Sequence, residues 1–196
     1  MKNQEKSGFS NIILLGIVSF LNDLSSEMII PLLPLLINSL GGSGLAIGLI
    51  GGVRDSLTSI LKVLGGYLSD KFKKRKIFVT LGYFISSFFK LFLGFSKTPF
   101  QVLVFASLER SGKIREAPRD AIIADSLPKE RGKGFGIHRA FDSLGAIIGS
   151  ILVFVLFWYL NLDFRKLIFL AAFIAFFSLI PLLFLKEEIK TKKNFN

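Results

Sequence analysis

Apolar positions in this chain gather in blocks of about twenty residues rather than in 3.6- or 2-residue stripes, the pattern of segments that cross a bilayer. Six blocks stand out, at residues 11–36, 45–69, 77–95, 99–117, 134–160 and 166–185. Gly41-Gly42-Ser43-Gly44 and Thr98-Pro99 are turn signals between blocks, and Pro118 should end the fourth by disfavouring helical geometry at Ala117. The pattern predicts an all-α integral membrane protein with six transmembrane helices in one unit, 11–185. A polar segment, 1–10, precedes it and a charged tail, 186–196, follows.

Composition agrees. At 196 residues, 51% hydrophobic with 22 Phe, the chain holds more apolar material than a soluble core of its size can use. A net charge of +11 would suit nucleic acid, but the basic residues lie between apolar blocks and not along one amphipathic face. They fit a membrane surface instead, and nucleic acid is not expected as a partner. Fifteen lysines and arginines fall in alternate, inner segments, against Lys97, Arg165 and Lys166 in the outer ones. This bias places both termini in the cytoplasm of a multi-pass protein of the cell membrane. Residues 1–10 are short and polar and the first block is long enough to stay as a helix, so no cleaved signal is expected. With no cysteine and one histidine, His138, neither a metal site, a cofactor nor a nucleophilic enzyme centre is expected.

Ionisable residues inside spans are costly and mark interior or functional positions. Asp23 and Glu27 lie in the first span, Arg54 and Asp55 in the second, Glu109 and Arg110 in the fourth, Arg139 and Asp142 in the fifth. Lys62, Lys113, Arg115 and His138 are nearer span ends, where long side chains snorkel. The third span has only Lys90 away from its ends and the interior of the sixth has no charge. At 1.5 Å per residue, Asp23 is roughly 18 Å along its helix, and Arg54 and Glu109 roughly 15 Å, near mid-bilayer. Ser19, Asn22, Asp23, Ser26 and Glu27 share one helix face. Five acids against three arginines leave the deep group two positive charges short, which calls for a proton or a bound cation. Such a cluster is either a static salt-bridge network or a substrate and proton pathway through Asp23, Glu27, Arg54, Asp55, Glu109, Arg110 and Asp142.

Three segments carry a family resemblance. Gly66-Tyr67-Leu68-Ser69-Asp70-Lys71-Phe72-Lys73-Lys74-Arg75 resembles the loop G-x-L-x-D-R-x-G-R-R between the second and third helices of major facilitator superfamily transporters. Lys73 stands where a glycine is usual. Glu109-Arg110-Ser111-Gly112 is similar to the family's membrane-embedded arginine followed by glycine. The stretch from Pro118 to Asp142 resembles the connection between the fourth and fifth helices of a prokaryotic branch of the family. From about Gly8 to Lys186 the chain looks like an N-terminal six-helix half, built from two three-helix inverted repeats. The resemblance implies that Gly66, Asp70, Lys74 and Arg75 form a conformational latch, with the third and sixth helices outermost. It also implies transport of a small solute, coupled to protons. The fifth helix lacks the proline and later glycines of the antiporter motif, and Gly145 and Gly149 read as small residues for close helix contact.

Such transporters rock two halves around a midplane site. The resemblance thus implies a second six-helix half, as a separate chain or a second copy. The competing reading is a truncated membrane remnant or interaction module without transport.

Overall fold

A computed structural model describes residues 2–185, with side chains from residue 7 onward. The tail expected at 186–196 lies outside the described residues. Within them the chain is helical, with no strand: α1 (Lys2–Ile29), α2 (Leu32–Ser39), α3 (Gly44–Phe72), α4 (Arg75–Gly94), α5 (Pro99–Ser111), a 3₁₀ turn (Gly112–Arg115), α6 (Glu116–Ser126), α7 (Arg131–Trp158), α8 (Phe164–Phe177) and α9 (Leu179–Leu183).

Local chemistry sets several boundaries. Ser43 caps α3 by accepting from the Ala46 N–H, and Thr98 caps α5 by accepting from the Gln101 N–H, with Pro99 in the first turn. The Asp163 carboxylate accepts from the Arg165 and Lys166 N–H groups at the start of α8. Two expectations need correction. The first span does not run unbroken to Leu36: it ends at Ile29, because Pro31 has no N–H to continue the ladder, and α2 starts afresh. Nor does Pro118 end the fourth span. It is the third residue of α6, in the first turn after the 3₁₀ segment, where helical geometry continues through it. The break comes earlier, at Gly112, where the helix tightens into the 3₁₀ turn.

Five described stretches are long and apolar enough to cross a membrane: Ser7–Ile29, Gly44–Phe72, Arg75–Gly94, Arg131–Trp158 and Phe164–Leu183. The segment 99–126 also runs from one end of the bundle to the other, in three helical pieces. At its start Pro99 lies beside Gly42, and at its finish Asp125 meets Arg75.

α1 packs along the length of α7, and α4 is wedged among α5, the 3₁₀ turn, α6 and α8, with side chains reaching α1. Closeness is set by glycines. A Cβ on Gly145 would lie 2.4 Å from the Phe20 carbonyl oxygen, and one on Gly149 would lie 2.4 Å from that of Leu24. The expected small-residue contact is therefore present, between α7 and α1.

Two apolar cores fill the interior. One, near the Pro99 end, gathers Leu24, Met28, Leu36, Leu93, Val102 and Ala171; the other gathers Ile12, Leu15, Val18, Val79, Ile123 and Leu182. Between them α1 contributes Ser19, Asn22, Ser25 and Ser26, α4 contributes Ser86, Ser87 and Lys90, and α5 contributes Glu109, all buried. The outer surface is apolar, most continuously on α3 (Leu45, Leu49, Ile60, Val63) and α7 (Ile147, Ile151, Phe154, Trp158). α4 also shows Leu81, Phe84 and Phe88 outward. Its opposite face carries Lys90 into the interior.

The α3–α4 turn is made by Lys73 in the left-handed region (φ 53°, ψ 33°). Where the loop pattern has a glycine, this chain keeps the glycine conformation with a residue that bears a Cβ, at a cost of about 1 kcal/mol. Lys73→Gly is expected to recover much of that in chemical denaturation of the detergent-solubilised chain. A loss of stability would mean that the Lys73 side chain contributes more than the backbone strain removes.

Candidate functional site

The buried polar belt centres on Glu109. Its side chain is enclosed between α3, α4 and α5, where Ser86 Oγ donates to Oε1 at 2.9 Å. Its Oε2 lies 3.5 Å from Arg110 Nε and 3.9 Å from a terminal nitrogen of Arg54. Two arginines thus share one carboxylate, and the Nε atoms of both are buried with no hydrogen-bond partner. Geometry this loose leaves donor capacity unused at the centre of the fold.

Lys90 closes the belt on the other side. Fully buried, its ammonium donates to the Asn22 carbonyl at 3.2 Å, to Ser26 Oγ at 2.9 Å and to Ser25 Oγ at 3.1 Å. These acceptors, with Asn22 Oδ1 at 3.4 Å, are all neutral, so the charge is solvated by α1 rather than paired. Asp23 and Glu27 flank this face of α1, half-buried, with Asn22 Nδ2 reaching Asp23 at 3.4 Å. Asp55 lies on the exposed side of α3, apart from Glu109.

A second polar group lies toward the α3–α4 turn. Ser19 Oγ meets Tyr83 Oη at 2.9 Å, His138 Nε2 at 3.1 Å and Arg119 Nη1 at 3.1 Å. Asp142 Oδ2 is 3.5 Å from His138 Nδ1 and 3.2 Å from Arg139 Nη1. Arg115 stacks on the Tyr83 ring at 4.1 Å and donates to the Gly112 carbonyl at 2.7 Å. Arg115 and His138 therefore do not snorkel. Both are buried, because α4 and α1 pack over the positions that the linear pattern placed near span ends. Lys62 and Lys113 converge on the Glu116 carboxylate, each at 2.7 Å, with Lys62 half exposed.

At the turn itself Arg75 reaches Asp70 at 3.3 Å and Asp125 of α6 at 2.5 Å. Lys76 donates to the Leu185 carbonyl at 2.6 Å, beyond α9. Lys74 is exposed, while Gly66 faces Ala117, whose Cβ would be 3.3 Å from an added Cβ.

The family model described as Major Facilitator Superfamily matches residues 15–196, almost the whole chain. The chain belongs to the major facilitator superfamily. An uncharacterized MFS-type transporter of Methanocaldococcus jannaschii is 58% identical over 185 residues, covering 94% of this chain and 46% of the relative. The multidrug resistance protein MdtH of Shigella dysenteriae is 28% identical over 131 residues, covering 66% of this chain and 31% of that one. Among solved structures, a bacterial homolog of the human lysosomal transporter Spinster, inward-facing and unoccupied, superposes with a TM-score of 0.74 at 17% identity. That match covers 91% of this chain and 42% of the other, and it shows the fold. The chain spans about half the length of the curated relatives it matches, or less.

Within this superfamily member, the deep residues anticipated from sequence divide. Arg54, Glu109 and Arg110 come together, whereas Asp142 joins His138 and Arg139 in a separate group. Sequence reasoning missed Lys90, Tyr83, Ser19 as a junction, and Arg119. Arg119 carried a signal that was available: it lies one turn before Ile123, which is fully buried on the same face of α6.

Proposed function

We propose that this superfamily member is one six-helix half of a secondary transporter, in which segment 99–126 supplies the fourth span in chain order and brings the total to six. It moves a small solute by alternating access against a second six-helix half, with coupling to protons. The observation that carries this reading is the Arg54–Glu109–Arg110 cluster, held between helices with arginine donors unused at the middle of an apolar bundle. The unpartnered apolar faces of α3 and α7 suit a second half, and the transporter names of the matched relatives point the same way. Both termini are taken as cytoplasmic, which puts the Asp70–Arg75–Asp125 contacts on the cytoplasmic side as the latch, with Gly66 and Lys74 beside them.

Two measurements test this. The complex extracted gently from membranes is expected to have the mass of two six-helix units, against 21.8 kDa for one chain. Vesicles carrying the complete complex and a pH-sensitive dye are expected to show proton movement driven by a solute, screened across chemical classes. Asp23→Asn, Glu27→Gln and Arg110→Gln should each abolish it while the protein still inserts. Unchanged flux in all three variants would remove Asp23, Glu27 and Arg110 from the pathway.

A further inference from the structure

We infer that Asp142 is a proton-binding site, and that His138 is the positioning residue linking it to a junction of four helices. The inference rests on the proton-coupled reading for its purpose, but its geometry stands apart from the Glu109 cluster. A serine hydroxyl has one proton and two lone pairs. Ser19 has three partners: Arg119 can only donate, so it takes one lone pair. His138 Nδ1 faces the Asp142 carboxylate, which accepts when ionised, so the proton of the neutral ring belongs on Nδ1. That leaves Nε2 to accept from the Ser19 hydroxyl, and Tyr83 to donate into the second lone pair. This assignment serves Ser19, Tyr83 and the imidazole, with the Asp142 carboxylate also close to Ser19.

The charges around the pair divide the work. Arg119 of α6 donates to Ser19 beside the ring, and Arg139 of α7 donates to the Asp142 carboxylate. Asp142 faces those same arginines and also Asp23 of α1, while Asp120 of α6 is bound by Arg119. Asp142 Oδ1 is buried and has no hydrogen-bond partner. A proton delivered by a hydronium ion forms an O–H bond there and neutralises the carboxylate, and the donor's O–H bond breaks to leave water. The Nδ1–H contact and the Arg139 pair then weaken, and Ser19, where α1 (Ser19), α4 (Tyr83), α6 (Arg119) and α7 (His138) meet, feels the change through the ring.

His138 is the only histidine in the chain, so ¹⁵N-histidine NMR of the complete protein in lipid nanodiscs reads this site without ambiguity. The expected result is a neutral ring protonated on Nδ1, with both nitrogen resonances moving through one transition as pH falls. Asp142→Asn should remove that transition. Ser19→Ala should shift Nε2 and leave the transition in place. A ring protonated on Nε2 in the unsubstituted protein overturns the proposal without any variant, as does a transition that persists in Asp142→Asn. Flux that stays proton-coupled in Asp142→Asn overturns the site and spares the transport reading. A histidine transition that depends on Asp142, in a complex showing no flux, supports the site and removes transport instead.

Discussion

Replacing Glu109 with glutamine is expected to abolish coupled flux and to destabilise the fold by about 3–5 kcal/mol, the range for breaking a buried ion pair at one partner. Glutamine keeps the shape and can still accept from Ser86, so packing changes little. What changes is charge. Arg54 and Arg110 lose the carboxylate they share, and an arginine cannot escape by giving up its proton. Denaturation of the full chain in detergent would read the loss. Adding Arg54→Gln to the Glu109→Gln background should recover part of it, since one uncompensated cation is then gone. Equal stability of Glu109→Gln and the parent would show that water or lipid already compensates these arginines.

The second large effect is expected at the α1–α7 seam. Gly145→Ala and Gly149→Ala each place a Cβ 2.4 Å from a backbone carbonyl oxygen, of Phe20 and Leu24 respectively. Backbone atoms cannot rotate aside as a side chain can, so the helices must separate along their longest contact. Each substitution should cost about 1–3 kcal/mol, the range for overpacking. Gly48→Ala and Gly52→Ala on α3 are the controls: nothing lies within 4 Å of a Cβ there, and alanine favours helix. These two should leave stability unchanged or raise it slightly. If all four variants melt alike, close approach at the seam is not what holds α1 to α7.

The seam was legible in the sequence as two glycines four apart, but its partner helix was not. The same division runs through the site. Glu109-Arg110 and Arg54-Asp55 stand out because in each two charges stand together in an apolar block. Lys90 stands in the sequence only as the one charge away from the ends of its span, with no sign there of what holds it. Its acceptors are Asn22, Ser25 and Ser26, more than sixty positions earlier. His138 and Arg115 were misjudged for a related reason: distance from a span end predicts snorkelling only when no neighbouring helix covers that end.

Most spans and turns were available from the chain alone, because they follow from block length, local capping and the side chains of consecutive residues. The two proline positions show where this fails: Pro31 stands where one helix stops and another starts, whereas Pro118 sits in the first turn of α6 and leaves it intact. Which polar residues meet was settled by packing. Ser19 touches partners 64, 100 and 119 positions away. No local period encodes such pairings; they exist because glycine contacts draw α1 against α7 while α4 and α6 close over the other side.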